Sequence, residues 1–207
     1  MYIPPYFSMS DLDEQLAFMK ANSFAVLVST IDGVMHATHL PVYVKREENR
    51  VRAACHLAKA NPQAQSLARE PNVLLIFNGP HGYVSPSNYD KVESVPTWNY
   101  VAVHVYGAAR VVEDKDGKLE QLADLIGNYE AAFQMQWDSL SDKYRDGMLG
   151  GIVALDIAIE RIEGKAKLSQ NRSPEEQARV ADWLANHASA APRATGEEMR
   201  RRIGRHE

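Results

Sequence analysis

The 207-residue chain has a single cysteine, Cys55. No disulfide can form within the chain, and no cysteine-based zinc site can be built. Such usage fits a reducing compartment, and a cytoplasmic protein is expected. No apolar run approaches the roughly 20 residues of a bilayer span, so no membrane helix is expected. The opening Met1-Tyr2-Ile3-Pro4-Pro5 lacks a basic stretch followed by an apolar one, so it does not read as a secretory signal. Charge of either sign is in short excess. The formal net charge of −4 disfavours a chain wrapped in nucleic acid, although a local basic patch could still bind it. The Gly-rich dinucleotide fingerprint, the phosphate loop and the Gly-x-Ser-x-Gly elbow are all missing.

What is present is ordinary globular protein. A chain of this length buries roughly 70% of its unfolded surface and needs no covalent staple. Ser10 and Asp13 read as a helix start, with Leu12, Leu16 and Met19 on one face. Residues 24–30 form an apolar strand. Asp32-Gly33 is a two-residue hairpin signal, and 34–44 is the return strand. A polar turn at 46–49 leads to a third strand at 51–56. Asn61-Pro62 starts a helix that should end near Pro71. Residues 73–77 are a continuous apolar strand, and 81–96 a long loop. Residues 100–112 alternate, with Val101, Val103, Val105, Ala109 and Val111 opposite Tyr100, His104, Tyr106 and Arg110. After a turn at 114–117, residues 119–133 have helical spacing. A half-buried strand at 153–159, a polar loop at 164–173 and a helix from Pro174 to about His187 follow. The expected architecture is a small antiparallel barrel of six strands with helices around it, as one domain over 1–190. Residues 191–207 read as a basic tail or helix.

Three stretches carry candidate chemistry. His56-Leu57-Ala58-Lys59-Ala60-Asn61-Pro62-Gln63 lies at a strand-to-helix junction, where open amides, Lys59 and His56 suit a phosphate. A helix cap that binds nothing is the alternative. Val95-Pro96-Thr97-Trp98-Asn99-Tyr100 could flank a planar ring or pack the mouth of a barrel. Lys165, Lys167 and Arg172 could hold an acidic group or form a solvated basic loop, with Gln170 and Asn171 as neutral donors. His36 and His39 fall on opposite strand faces and cannot share a metal. Asp156 and Glu160 share a face without a partner acid and read as solvent-facing. Arg200-Arg201-Arg202 with Arg205 is a short basic run offset by Glu197, Glu198 and Glu207.

Taken in order, four segments resemble the PaiB-like family of FMN-binding negative transcriptional regulators. They are Met1-Tyr2-Ile3-Pro4, residues 56–62, residues 95–100 and Gly164-Lys165-Ala166-Lys167-Leu168-Ser169-Gln170-Asn171-Arg172. The resemblance covers residues 1–184. Lys59 stands where the family more often has Arg, keeping charge and losing a planar fork. Asn88 stands where the family commonly has Trp. The resemblance implies an FMN-binding split barrel related to pyridoxamine-phosphate oxidase, working as a homodimer with two flavin sites between subunits. Arg52, Ala53 and Ala54 would line the flavin. His56, Lys59, Asn61 and Gln63 would hold its phosphate. Trp98, Asn99 and Tyr100 would lie near the ring or the subunit contact. Lys167, Gln170 and Arg172 would close the site, from the same chain or from the partner.

Two functions follow as expectations. One is a flavin-binding transcriptional regulator, with DNA as a partner despite the lack of a helix-turn-helix. The other is an FMN-dependent oxidoreductase of a small molecule, in which the flavin carries the chemistry and His104 or His56 is the nearest thing to a general base. No metal is expected.

Overall fold

The computed structural model describes residues 1–47 and 50–204. Glu48 and Asn49 of the expected turn, and Arg205 and Glu207 of the basic run, lie outside them. Seven strands form one antiparallel sheet: β1 (Phe24–Ile31), β2 (Val34–Pro41), β3 (Tyr43–Glu47), β4 (Arg50–Ala58), β5 (Asn72–Val84), β6 (Thr97–Val112) and β7 (Ile152–Lys167). Their order across the sheet is β2-β1-β5-β6-β7-β4-β3. Seven helices accompany them: α1 (Leu12–Ala21), α2 (Pro62–Ser66), α3 (Lys115–Tyr129), α4 (Phe133–Ser139), α5 (Asp142–Gly150), α6 (Pro174–Ala185) and α7 (Ala190–Ile203). No helix among the described residues is long and apolar enough to cross a membrane.

The chain divides into two compact units. One comprises Met1–Gln15, Asn78–Val103 and the segment from Glu163 onward; the other comprises Leu16–Phe77 and His104–Ile162.

In the second unit, the hairpin at Asp32-Gly33 forms as its sequence demands. Both residues have positive φ, 50° and 79°, and Ile31 pairs directly with Val34. That is the geometry of a two-residue turn whose twist matches the strands. The second expected strand, 34–44, becomes two. Pro41 has no N–H to donate, and after it the chain leaves β1 and pairs β3 with β4 instead. The seven-strand count replaces the expected six for this reason. The helix expected over 62–71 is only α2, because Ser66 carbonyl takes the amides of Arg69 and Glu70 in a turn. Helices α4 and α5 had no sequence expectation. Helix α3 begins at Lys115, since Asp114 caps it by accepting from the Gly117 amide.

In the first unit, segments that read as loops continue as strands. Residues 78–84 extend β5, because Gly82 lets the strand lie against α6 and α7. A Cβ there would sit 2.8 Å from Leu184 and 3.3 Å from Pro192 Cα. Residues 164–167 extend β7. Gly164 accepts from the Met9 amide at 3.0 Å, and a Cβ on it would meet the Met9 carbonyl at 2.4 Å. The helix start near Ser10 is one residue later: Asp11 Oδ1 accepts from the Glu14 amide at 2.8 Å. Helix α6 opens with a full capping box between Ser173 and Glu176. Val180, Ala181 and Leu184 of α6 pack on Thr195, Gly196 and Met199 of α7. The residues read as a basic tail or helix are therefore largely a packed helix.

Candidate functional site

Strand β4 sorts its side chains by alternation. Ala53, Cys55 and Leu57 point to the buried side. Burial pushes the Cys55 thiol up to about 12, so it is no nucleophile at neutral pH. Arg52, Ala54, His56 and Ala58 share the other face. Their partners across β7 are Ala158, Asp156, Ala154 and Ile152, so the face is a strip of small residues with charge at one end.

That charge is an ion-pair cluster. Arg52 Nε donates to Asp156 Oδ1 at 2.8 Å and its Nη2 donates to Oδ2, a two-pronged arrangement. Arg110 Nη2 donates to the same Oδ2 at 3.0 Å. Asp156 was expected to face solvent; its side chain is only 13% exposed. No local pattern could flag it, because its partners lie far away in sequence. Glu160 is exposed as expected. Beneath α3 the cluster borders a cleft of about 300 Å³, lined also by Lys45, Glu120 and Asp124.

At the other end of the strip, burial pulls the His56 imidazole down from its usual range. It is neutral at pH 7 and offers one N–H, not a full charge. Burial does the same to His104. The Lys59 amide donates to the Gly151 carbonyl at 2.9 Å, while its side chain is exposed and has no partner among the described residues.

Asn61 and Gln63 are occupied. Asn61 Oδ1 accepts from the Gln63 amide at 2.9 Å, and its carbonyl accepts from Ala64 at 2.9 Å. Pro62 has no N–H. The start of α2 therefore leaves no open amide in its first three residues. Asn61 Nδ2 donates to Thr38 Oγ1 at 3.0 Å, and Thr38 donates to Gln63 Oε1. Gln63 Nε2 donates to Ser29 Oγ at 2.9 Å and to the His36 carbonyl at 3.2 Å. This network ties α2 to β1 and β2. What the junction presents to an anion is led by the Lys59 ammonium and the His56 N–H, since the amides that open α2 are taken.

The remaining expected residues belong to the first unit. Trp98 is 54% exposed and lies edge-on to Tyr83 with ring centroids 6.0 Å apart. Asn99 is buried; its Nδ2 donates to Ser169 Oγ at 2.9 Å and to Met199 Sδ at 3.3 Å. It thereby holds the turn after β7, where Ser169 has φ 67°. Gln170 is engaged by its own chain: Oε1 accepts from the Leu168 amide at 2.7 Å, and Nε2 donates to the Ala166 carbonyl at 2.6 Å. The Arg172 guanidinium stacks 3.7 Å over the Tyr89 ring. Asn88, in the place expected for Trp, is buried and donates to the Ser85 carbonyl at 3.1 Å, so it shapes a turn and stacks on nothing. Lys165 and Lys167 are not in a loop. They are strand residues two apart on one face of β7, beside Tyr100. The structure thus groups Arg52, Ala54, His56 and Lys59 along one strand and its exit, and Trp98, Asn99, Tyr100, Lys167, Gln170 and Arg172 in the other unit.

Comparison with known proteins decides the family. The family model described as "Putative FMN-binding domain" matches residues 1–161. The chain belongs to this family. It is 38% identical over 201 residues to "Protease synthase and sporulation protein PAI 2" of Bacillus subtilis (strain 168), covering 96% of each chain. The PaiB-like resemblance is therefore borne out, and FMN is the cofactor of the family. Among solved structures, the FAD and heme binding protein from Mycobacterium smegmatis aligns with TM-score 0.63 at 16% identity, over 82% of this chain and 78% of that one. The flavocytochrome Anf3 from Azotobacter vinelandii aligns with TM-score 0.62 at 17% identity, over 80% of this chain and 72% of that one. At such identities the likeness is one of fold.

Proposed function

We propose that this chain is a homodimeric FMN-binding protein of split-barrel form that acts as a PaiB-type negative regulator of transcription, with flavin as its bound ligand. The observation that carries the flavin part is Lys59. It is an uncompensated, exposed ammonium at the end of a strand face of small residues, inside the segment the family model matches. The residues present fit the group. Lys59 supplies the charge for a phosphate dianion and neutral His56 supplies a donor. Ala54 leaves room beside the strand, and Arg52, fixed by Asp156, keeps its remaining donors on that face. Ala53 contributes backbone only, and Asn61 and Gln63 position the junction. By the same reading Trp98, Asn99, Tyr100, Lys167, Gln170 and Arg172 are flavin-site residues of the assembled dimer. When bound, FMN supplies reversible electron acceptance.

Paired titrations with FMN and riboflavin test this. Lys59→Ala should weaken FMN at least tenfold, about 1.4 kcal/mol, and leave riboflavin unchanged. Equal FMN affinity in the variant and the parent would move the phosphate elsewhere. Sedimentation of the holoprotein should give twice the chain mass.

A second reading, an FMN-dependent oxidoreductase, is favoured by one observation. The Arg200-Arg201-Arg202 run of α7, the best candidate for DNA contact, is neutralised within the protein. Arg200 pairs with Asp182, Arg201 with Glu198, and Arg202 with Glu198 and Glu14. A salt-dependent, sequence-selective DNA complex at low salt would support the regulator. Reduction of the bound flavin by a nicotinamide donor, with turnover on an acceptor and no DNA complex, would support the enzyme.

A further inference from the structure

Residues 163, 165 and 167 alternate onto one face of β7. Glu163 there meets the α-amino group of Met1. Beyond it come two lysines and no acid. Lys165 is 7% exposed, yet among the described residues its ammonium donates only to the Tyr2 carbonyl, at 3.0 Å. The rings of Tyr100 and Tyr2 lie 5.3 and 5.8 Å from it. The Lys167 ammonium donates to Thr97 Oγ1 and, at 2.7 Å, to the Trp98 carbonyl, with the Phe7 ring 5.8 Å away. No carboxylate forms an ion pair with either among the described residues.

An ammonium carries three donors. Among the described residues Lys165 therefore has two, and Lys167 one, without an acceptor. Carbonyls and ring faces offset part of the desolvation of a buried cation, but two like charges on one strand face add repulsion. The effect registers on Lys167, whose ammonium is pulled down by burial and further by the charge of Lys165. A buried cation is ordinarily matched by an anion. None of the described residues pairs one with these lysines.

We propose that Lys165 and Lys167 form a site for a small oxyanion, the carboxylate or phosphate group of a second ligand distinct from the flavin. The aromatic surround of Tyr2, Phe7 and Tyr100 suits a ligand in which that group is carried on a ring. The depth of Lys165 excludes a nucleic-acid backbone, which needs cations that project. The proposal shares Lys167 with the flavin reading, so the test is run with and without FMN to let the two fail separately.

Benzoate is the probe, with neutral benzamide as its control. Trace acetylation of the unmodified protein, read by peptide mapping, reports the reactivity of each lysine. Benzoate should protect Lys165 and Lys167 at least threefold while exposed Lys20 and Lys91 keep their reactivity, and benzamide should protect neither. Protection in flavin-free protein supports the site even if FMN binds elsewhere. Inorganic phosphate that displaces benzoate marks a general oxyanion site; phosphate that does not marks a carboxylate site. Calorimetry should show benzoate affinity at least tenfold weaker in Lys167→Met, checked for native melting. Uniform or absent protection overturns the proposal. So does protection by FMN alone together with loss of FMN-over-riboflavin preference in Lys167→Met, because the pair would then hold the cofactor's own phosphate.

Discussion

Gln63→Leu separates a binding role from a positioning role at the strand-to-helix junction. Gln63 is 1% exposed, and both ends of its amide are engaged by Ser29, Thr38 and the His36 carbonyl. Leucine has nearly the same volume and neither donor nor acceptor. Two good hydrogen bonds disappear, each contributing about 1 kcal/mol net, and the longer one to His36 adds little. The Ser29 hydroxyl, itself buried, is left facing an apolar group, while Thr38 keeps the donor from Asn61. The gain in apolar burial returns part of this. A net loss of about 2–3 kcal/mol is expected, which for a chain of this size lowers Tm by about 5–10 °C. Calorimetry on flavin-free protein measures it, and urea unfolding should shift its midpoint with an unchanged slope. With FMN saturating, the cofactor's affinity should fall less than for Lys59→Ala, because no group that faces the ligand is lost. A variant that melts within 1 °C of the parent yet loses FMN binding would refute the reasoning and make Gln63 a direct ligand of the cofactor.

Two further predictions concern the first unit. Burial pushes the Glu198 carboxyl up, but the hydrogen bonds and charges of Arg201 and Arg202 outweigh it, and the net displacement is downward. A carboxyl lowered in the folded state stabilises above its unfolded value of about 4.3, and this is lost as pH falls through the folded value. Parent protein should therefore exceed Glu198→Gln by about 1 kcal/mol at pH 7, with the gap closing below pH 4 in urea titrations; a gap independent of pH would contradict the pairing. Gly196→Ala should destabilise by about 1–3 kcal/mol, since its Cβ would lie 2.2 Å from the Ala185 amide nitrogen and 2.6 Å from the Ala181 carbonyl. Gly127→Ala in α3, with nothing within 4 Å, should be neutral or gain up to about 1 kcal/mol, and equal melting shifts for the two glycines would count against the close α6–α7 contact.

Local chemistry was legible where a single short stretch determines it. Asp32-Gly33, Asn61-Pro62 and Pro174 announced a turn and two helix starts, and all three form. The sheet was legible where apolar residues alternate, as in β6. It was hidden where glycines do the packing: Gly82 and Gly164 lie in stretches that read as loops, yet they let the strand lie close against its neighbours. The short helices α4 and α5 bury almost nothing and so leave only a faint periodic signal. The family residues were recognisable as motifs, but their roles were not. Asn99 engages the Ser169 hydroxyl and the Met199 sulfur, and Gln170 engages backbone, contacts that no motif displays.

The deciding property at this molecule's cations is compensation, which sequence does not display. Arg52 and Arg110 converge on Asp156, and Arg200, Arg201 and Arg202 of α7 each meet an acid. Such pairs fix geometry and leave little charge for a ligand, however basic the run appears when written out. Lys59, Lys165 and Lys167 are the reverse case, without an acid among the described residues. Lysine at these places also matters chemically. An ammonium is a point charge that accepts a phosphate or carboxylate from any direction, where a guanidinium would demand a planar partner. An Arg at position 59 would keep the charge and impose that fork, so Lys59→Arg should retain FMN-over-riboflavin preference where Lys59→Ala loses it. Loss of the preference in both would mean that shape, not charge, selects the phosphate at this junction.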